Sequence, residues 1–267
     1  MRSSLDMLTM EKQQAKALYH EYANNRSYYD EKTDEENKNI YYQDTLFERE
    51  AMQMLLKETH QHLLSYSPHK HVYPWVDLQE NGELKSLYSG KGMDPLETIQ
   101  QDIDQLQSLS NSSLSSNDIL LNCEHVVPQS WFGKQEPMRG DLHHLFACEP
   151  SCNSRRGNSS YIDFADYTPE VKQSDVKEGC GKAEKGKFEP EYGKGIVARS
   201  TLYFLIRYHN KIDSSRVDLP LLLKWHEEFT VSLYEKHRNA AIFELQGNRN
   251  PFIDFPDKAG ALISSAF

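Results

Sequence analysis

Apolar positions in the first quarter of the chain recur at helical spacing. Residues 5–24 are rich in Leu, Met, Ala, Glu, Gln and Lys, which lose little side-chain freedom in a helix, and they predict a first helix. Residues 25–42 are polar and read as a gap. Tyr28, Tyr29, Tyr41 and Tyr42 are expected to pack against the core with their hydroxyls in water. Phe47, Ala51, Met54, Leu55, His62 and Leu63 then mark an amphipathic helix over about 44–64. Pro68 and Pro74 interrupt the pattern. Residues 76–80 and 83–88 flank Asn81-Gly82, two residues tolerant of positive φ, and predict a hairpin. Asp94-Pro95-Leu96-Glu97 combines a cap, a proline at the first helical position and an acid two residues later. It opens a helix to about residue 109. The serine-rich stretch 108–117 reads as a loop.

In the middle of the chain the period shortens. Residues 119–123 form a brief apolar run and predict a buried strand ending at Glu124-His125. A connection with Pro128, Gly133, Pro137 and Gly140 follows, then a second strand over 142–147 and a short helix within 150–158. Residues 161–195 read as a loop, including the mixed-charge run 182–187 as a solvated segment. Residues 195–208 are apolar nearly all round, which predicts a central buried helix. Two more helices are expected over 219–228 and 231–245, the last closed by Gly247 with Pro251 beyond it. The fold class is α+β, a mainly helical scaffold around a small antiparallel sheet. No internal repeat is visible.

At 267 residues the chain can bury one sizeable core with a small appendage. No apolar run approaches the ~20 residues that span a bilayer. The start, MRSSLDMLTMEKQQ, has no apolar leader core, so either the protein stays inside the cell or its leader lies outside this chain. The net charge of −10 argues against a broad basic nucleic-acid surface. It leaves room for a short groove in which a divalent cation supplies the positive field. Cys123, Cys148, Cys152 and Cys180 lack the paired C-x2-C spacing of a zinc finger. Two disulfides, one structural zinc, or free buried thiols all remain open.

Residues 122–158 concentrate oxygen ligands, imidazoles and guanidiniums as core segments do not. Glu124 offers a hard anionic oxygen and Asn153 a hard neutral one. With waters and substrate phosphate oxygens they suit Mg²⁺, which rarely takes an all-protein cage. His125 can act as a general base near neutral pH. A regular strand points Glu124 and His125 to opposite faces, so a shared site requires the strand to twist or end there. Arg156, three residues after Asn153, falls on the same helical face, and its fork suits a phosphate.

These residues carry a resemblance. Glu124-His125-Val126-Val127-Pro128, Ser130-Trp131-Phe132, Asp141-Leu142-His143-His144-Leu145-Phe146 and Asn153-x-x-Arg156-x-Asn158 resemble the bacterial endonuclease I family. These are non-specific nucleases of the ββα-metal, or His-Me finger, superfamily. Ala198-Arg199, Leu202-Tyr203-Phe204, Arg238-Asn239 and the run from Gln246 to Asp254 match as well, so the resemblance covers roughly residues 45–256. It implies a ββα-metal motif within a catalytic domain over 41–267, preceded by an N-terminal helical extension over 1–40. It implies His125 as the base that activates water, and Glu124 and Asn153 as the ligands of one Mg²⁺. Arg156 would take a catalytic and nucleic-acid-binding role at the phosphate. His143 and His144 would support the site or be structural. The Gln246–Phe252 segment would brace it, with Arg249 within reach of DNA. The four cysteines would be structural.

The implied activity is Mg²⁺-dependent, largely sequence-non-specific cleavage of DNA and RNA to 5′-phosphate products, by a monomer without membrane contact. The resemblance implies a secreted or periplasmic setting, whereas a chain without a leader would be cytoplasmic. The alternative is a zinc- or disulfide-stabilised nucleic-acid-binding module without hydrolytic activity. Glu124-His125 with Asn153 discriminates the two, because a binder needs none of them.

Overall fold

A computed structural model describes residues 4–111, 123–168 and 179–264 of the chain. Helix α1 (Ser4–Asn25) is followed by α2 (Glu31–Tyr41), α3 (Arg49–Thr59) and the single turn α4 (Pro68–His71), which runs into a π-helical turn over Val72–Val76. Strands β1 (Leu84–Lys85) and β2 (Gly92–Met93) precede α5 (Pro95–Asn111). Then come β3 (Cys123–His125), β4 (Leu145–Ala147) and α6 (Pro150–Arg156). A small sheet of β5 (Ser160–Tyr161), β6 (Gly181–Glu184) and β7 (Lys187–Pro190) leads to α7 (Lys194–Arg207), α8 (Leu219–Glu228), α9 (Leu233–Gln246), α10 (Pro251–Asp254) and α11 (Ala259–Ser264). The architecture is α+β, helical with small sheets, as the periodicity predicts.

The expected gap at 25–42 is largely helix. Asp30 caps α2 by accepting from the Thr33 amide, so local capping outweighs the absence of an apolar stripe. The four tyrosines pack inward as expected, but their hydroxyls bond protein rather than water. Tyr28 donates to the Leu78 carbonyl, Tyr29 to Asp34 and Tyr42 to Asp254, while Tyr41 pairs with Thr59. The helix expected over 44–64 is confined to α3. The Asn81-Gly82 turn forms, with Gly82 at φ 80°, but its hairpin shrinks to a bridge between Leu78 and Leu84. Residue 84 onward pairs with β2 instead, because Val72–Val76 is wound into the π turn. Residues 108–111 continue α5, and 112–117 lie outside the described residues, as do 119–122 of the expected first strand.

The charged run 182–187 is not a loop. Lys185 and Gly186 both have positive φ (50° and 72°), the requirement of a tight two-residue hairpin turn. The run therefore folds back as β6–β7, in register Ala183↔Phe188 and Glu184↔Lys187. Phe188 is buried while its neighbours at the turn face solvent, so one aromatic anchors a hairpin that alternation did not reveal.

β3 and β4 are antiparallel, with Cys123 opposite Ala147, Glu124 opposite Phe146 and His125 opposite Leu145. Side chains alternate across a strand, and here both faces are covered. Val126, Phe146 and Cys148 join a core built with α3, α7, α8 and α11. Cys123, Leu145 and Ala147 join a second core with α1, the π turn, α5 and α9. α1 is tied into that second core by Ala15, by Tyr22 stacked on Trp75 at 4.8 Å, and by Glu11 bonding Lys70. The predicted central helix is α7, buried along its whole length.

Candidate active site

The order strand, loop, strand, helix is as predicted, and it places Glu124, Asn153 and Arg156 on neighbouring elements, with His125 on the other face of β3. α6 starts at Pro150 and packs against β3. From α6, the Asn153 side chain donates Nδ2–H to the Cys123 carbonyl at 3.0 Å. This pins the amide beside the residue that precedes Glu124. Glu124 is 3 % exposed. Its Oε1 accepts from the Tyr88 hydroxyl at 2.7 Å and faces Arg156 Nη1 at 3.3 Å. No side chain among the described residues bonds Oε2. Burial pushes the Glu124 carboxyl up to about 7, against Arg156 and Tyr88, which pull it down.

His125 sits at the last position of β3 and turns to the other face. Its ring lies 4.8 Å from Tyr66 and 5.3 Å from His144. Nε2 donates to the Arg139 carbonyl at 2.9 Å, which leaves Nδ1 unprotonated in the neutral ring and without a hydrogen-bond partner among the described residues. Burial pushes this imidazole well below its usual range, and His144, Arg139 and Arg156 push the same way, against the bond to the Arg139 carbonyl. β3 ends at this residue, and the chain continues past it with the Val126 amide bonded to the His144 carbonyl at 3.0 Å.

Arg156 and Arg249 are not placed as expected. Arg156 is 1 % exposed. It donates to the Val126 carbonyl at 2.7 Å and to the Gly157 carbonyl at 3.1 Å, and lies 4.8 Å over the Tyr161 ring. Burial disfavours its charge, but Tyr161, Tyr88 and Glu124 outweigh this and hold it protonated. Its fork is turned onto protein, where it ties β3 and pulls the Glu124 carboxyl down against burial. Arg249 is fully buried. It pairs with Asp254 at 2.7 Å and Asp34 at 2.9 Å, and so cannot reach a nucleic acid.

The surrounding residues act as supports. His143 and His144 lie in a 3₁₀ turn (Leu142–His144), not in the strand, so alternation does not apply and both are buried. His143 bonds the Asn248 carbonyl and His144 the Met138 carbonyl. Asp141 caps that turn and accepts from Tyr203, Tyr208 and Gln246. The Gln246–Phe252 segment bonds the turn that precedes β4, through Gln246 to Asp141 and the Leu142 amide and through Asn248 to His143. Arg238 adds bonds to the Leu142 and Leu145 carbonyls at 2.8 and 2.9 Å.

Sequence reasoning missed Tyr88, Tyr66 and Arg139. Nothing near the tyrosines in sequence flags them. Arg139 carries a weak signal, a lone arginine in the connection between the strands. It is half-buried, held by Gln129 Oε1 at 3.0 Å and laid over Tyr66 at 5.1 Å, with no carboxylate in ion-pair range among the described residues.

The cysteines follow a mixture of the expected alternatives. Cys152 and Cys180 form a disulfide, while Cys123 and Cys148 are free and buried. That leaves no four-cysteine zinc set. Among the described residues no group of three or more His, Cys, Asp or Glu could hold a metal ion. A metal at this site would rest on one carboxylate, one amide, waters and substrate oxygens, a hard and mostly non-protein set that fits Mg²⁺ and no thiophilic ion. No helix among the described residues is long and apolar enough to cross a membrane.

The sequence model of a family described as Endonuclease I matches residues 47–257. An extracellular ribonuclease of Bacillus amyloliquefaciens is 33 % identical over 156 residues, 52 % of this chain and 52 % of that protein. An extracellular deoxyribonuclease of Aeromonas hydrophila is 27 % identical over 151 residues, 49 % of this chain and 64 % of that protein. An endonuclease-1 of Buchnera aphidicola is 26 % identical over 148 residues, 49 % of this chain and 60 % of that protein. The chain thus spans about half the length of the first of these relatives and under two thirds of the other two.

Proposed function

Because this chain belongs to the endonuclease I family, we propose that it is a Mg²⁺-dependent nuclease that hydrolyses phosphodiester bonds in DNA and RNA with little sequence preference. The observation that carries this reading is the end of β3. There Glu124 lies beside the strand to which Asn153 is hydrogen-bonded, and His125 carries a neutral Nδ1 on the other face.

His125 Nδ1 takes the proton of the attacking water, and the Arg139 carbonyl stabilises the imidazolium that results by accepting from Nε2. General-base help of this kind supplies ~10²–10⁴-fold. Glu124 and Asn153 would hold the cation. The bond from Asn153 Nδ2 to the Cys123 carbonyl uses the amide's donor end, and in this reading its oxygen would be the ligating end. Arg156 keeps Glu124 charged. The phosphate contact passes from Arg156 to Arg139, whose guanidinium has no acidic partner. The chemistry expected of a bound Mg²⁺ is neutralisation of charge on the phosphate and the leaving 3′ oxygen. Water as nucleophile requires no 2′-hydroxyl, which agrees with relatives named for ribonuclease and for deoxyribonuclease activity. The products carry 5′-phosphates. The Cys152–Cys180 bridge and relatives named extracellular or periplasmic support an oxidising setting outside the cytoplasm.

The test is degradation of plasmid, single-stranded DNA and RNA by the purified protein, with Mg²⁺ and with excess EDTA. Cleavage only with Mg²⁺ is expected. Full activity in EDTA would remove the metal from the reading, and binding without cleavage in any divalent ion would return the protein to the binding-module alternative.

A further inference from the structure

Beside the proposed site the described residues enclose a groove of about 640 Å³ between the β5–β7 sheet and the turn that leads into α8. Two features join it to the site. Tyr161 forms part of its wall, and the Tyr161 hydroxyl lies 2.7 Å from that of Tyr88, the residue bonded to Glu124. Trp131, in the connection after His125, has Arg156 over its ring at 5.9 Å and Arg216 at 5.6 Å. Arg216 lines the groove, so one indole links the buried arginine of the site to the exposed arginine of the groove.

The lining mixes an apolar floor with three serines and two cations, Lys187 and Arg216, on a protein of net charge −10. Lys187 is exposed and makes no ion pair among the described residues. Arg216 has a half-exposed side chain and only a 3.9 Å contact with Asp213, a geometry that contributes little in water. The carboxylates nearby are turned to local tasks. Asp213 accepts from Ser215, and Asp218 caps α8 through the Leu221 amide. Ile162 and Val217 add an apolar strip. Cations on phosphates position a strand without selecting a sequence, which is the role argued for Lys187 and Arg216 here.

We propose that this groove carries the single-stranded backbone next to the cleaved phosphodiester, with Lys187 and Arg216 on its phosphates. The assignment rests on the nuclease reading for which bond is cut, but the binding it describes is measurable without cleavage.

The experiment compares the wild type, the double variant Lys187→Ala/Arg216→Ala and the charge-keeping pair Lys187→Arg/Arg216→Lys. Binding of a fluorescein-labelled oligothymidylate is followed by anisotropy in EDTA across a salt series. Each lost contact should flatten the dependence of log affinity on log salt by about 0.7, while the charge-keeping pair retains the wild-type slope. Both positions are exposed, so melting temperatures should match. With Mg²⁺, KM for the same oligonucleotide should rise in the alanine variant, with kcat much less affected. An unchanged slope and an unchanged KM in the alanine variant, with wild-type cleavage intact, would overturn the groove. A flattened slope in a protein whose wild type cleaves nothing would support the groove and overturn the nuclease reading instead.

Discussion

The two faces of β3 treat burial in opposite ways. Glu124 and His125 are adjacent, nearly inaccessible, and each pushed by burial toward its neutral form. On the Glu124 face the neighbours resist that push. Arg156 and the Tyr88 hydroxyl favour the carboxylate and hold it at a pKa of about 7. For His125 the electrostatics of His144, Arg139 and Arg156 reinforce it, and only the bond to the Arg139 carbonyl opposes it. In the proposed reading, one side keeps a ligand on the edge of ionisation, where a cation can complete it, and the other keeps a base free of its proton at neutral pH. Burial sets the scale of both shifts, and the neighbours decide what each residue can do.

The largest effect should come from breaking the base face. His125→Ala is expected to lower the cleavage rate by ~10²–10⁴-fold, with Mg²⁺ affinity and oligonucleotide binding largely kept. Cleavage at the wild-type rate would show that another group accepts the proton.

Arg156→Met tests the opposite face. Removing one partner of a buried pair costs about 3–5 kcal/mol, which urea denaturation would read. Without Arg156 the Glu124 pKa rises above 7, so the carboxylate forms only at higher pH. The Mg²⁺ concentration for half-maximal activity should therefore rise at neutral pH and recover in alkaline buffer. A rate loss equal at every pH, with the metal titration unchanged, would mean that Arg156 meets the phosphate directly.

Cys180→Ser sharpens the comparison, because the disulfide anchors only the Glu124 face. Cys152 lies in the core shared by Val126 and Phe146, next to Asn153. Losing a bridge across 28 residues should cost ~3 kcal/mol and lower the melting temperature, while kcat at saturating Mg²⁺ stays near wild type. An unchanged melting temperature would reduce the bridge to an ornament of the fold.

The smallest effect is a displacement of the acid limb. Glu124 must be deprotonated to hold a cation, and its pKa stands at about 7. His125 stays neutral well below the usual imidazole range. At limiting Mg²⁺ the rate should fall as pH drops through about 7, and more Mg²⁺ should move that limb to lower pH by competing with the proton. A limb fixed at one pH regardless of Mg²⁺ would assign it to the base and not to the ligand.

The arginines show where sequence reasoning stops. Arg156 and Arg249 look like phosphate ligands because a guanidinium in a polar stretch usually faces solvent. Both are buried because their acids arrive from elsewhere, Glu124 from β3 and Asp34 and Asp254 from α2 and α10. Arg139 and Arg216 drew no attention, yet neither has a close acidic partner among the described residues.

Local patterns by themselves determined the α+β class, the buried α7, the capped start of α5, the stop at Gly247 and the strand, loop, strand, helix order that carries Glu124, His125 and Asn153. Each depends on neighbours a few residues away, through propensity, capping and periodicity. Only the tertiary structure decided which cysteines pair, which face of β3 each catalytic candidate takes, and that 182–190 is a hairpin rather than a loop. Contacts such as Tyr88 to Glu124, or Asn153 to the Cys123 carbonyl, join residues 36 and 30 positions apart. Electrostatic environment is a property of what surrounds a group in space, so a sequence can name a carboxylate and an imidazole but not the proton each will hold.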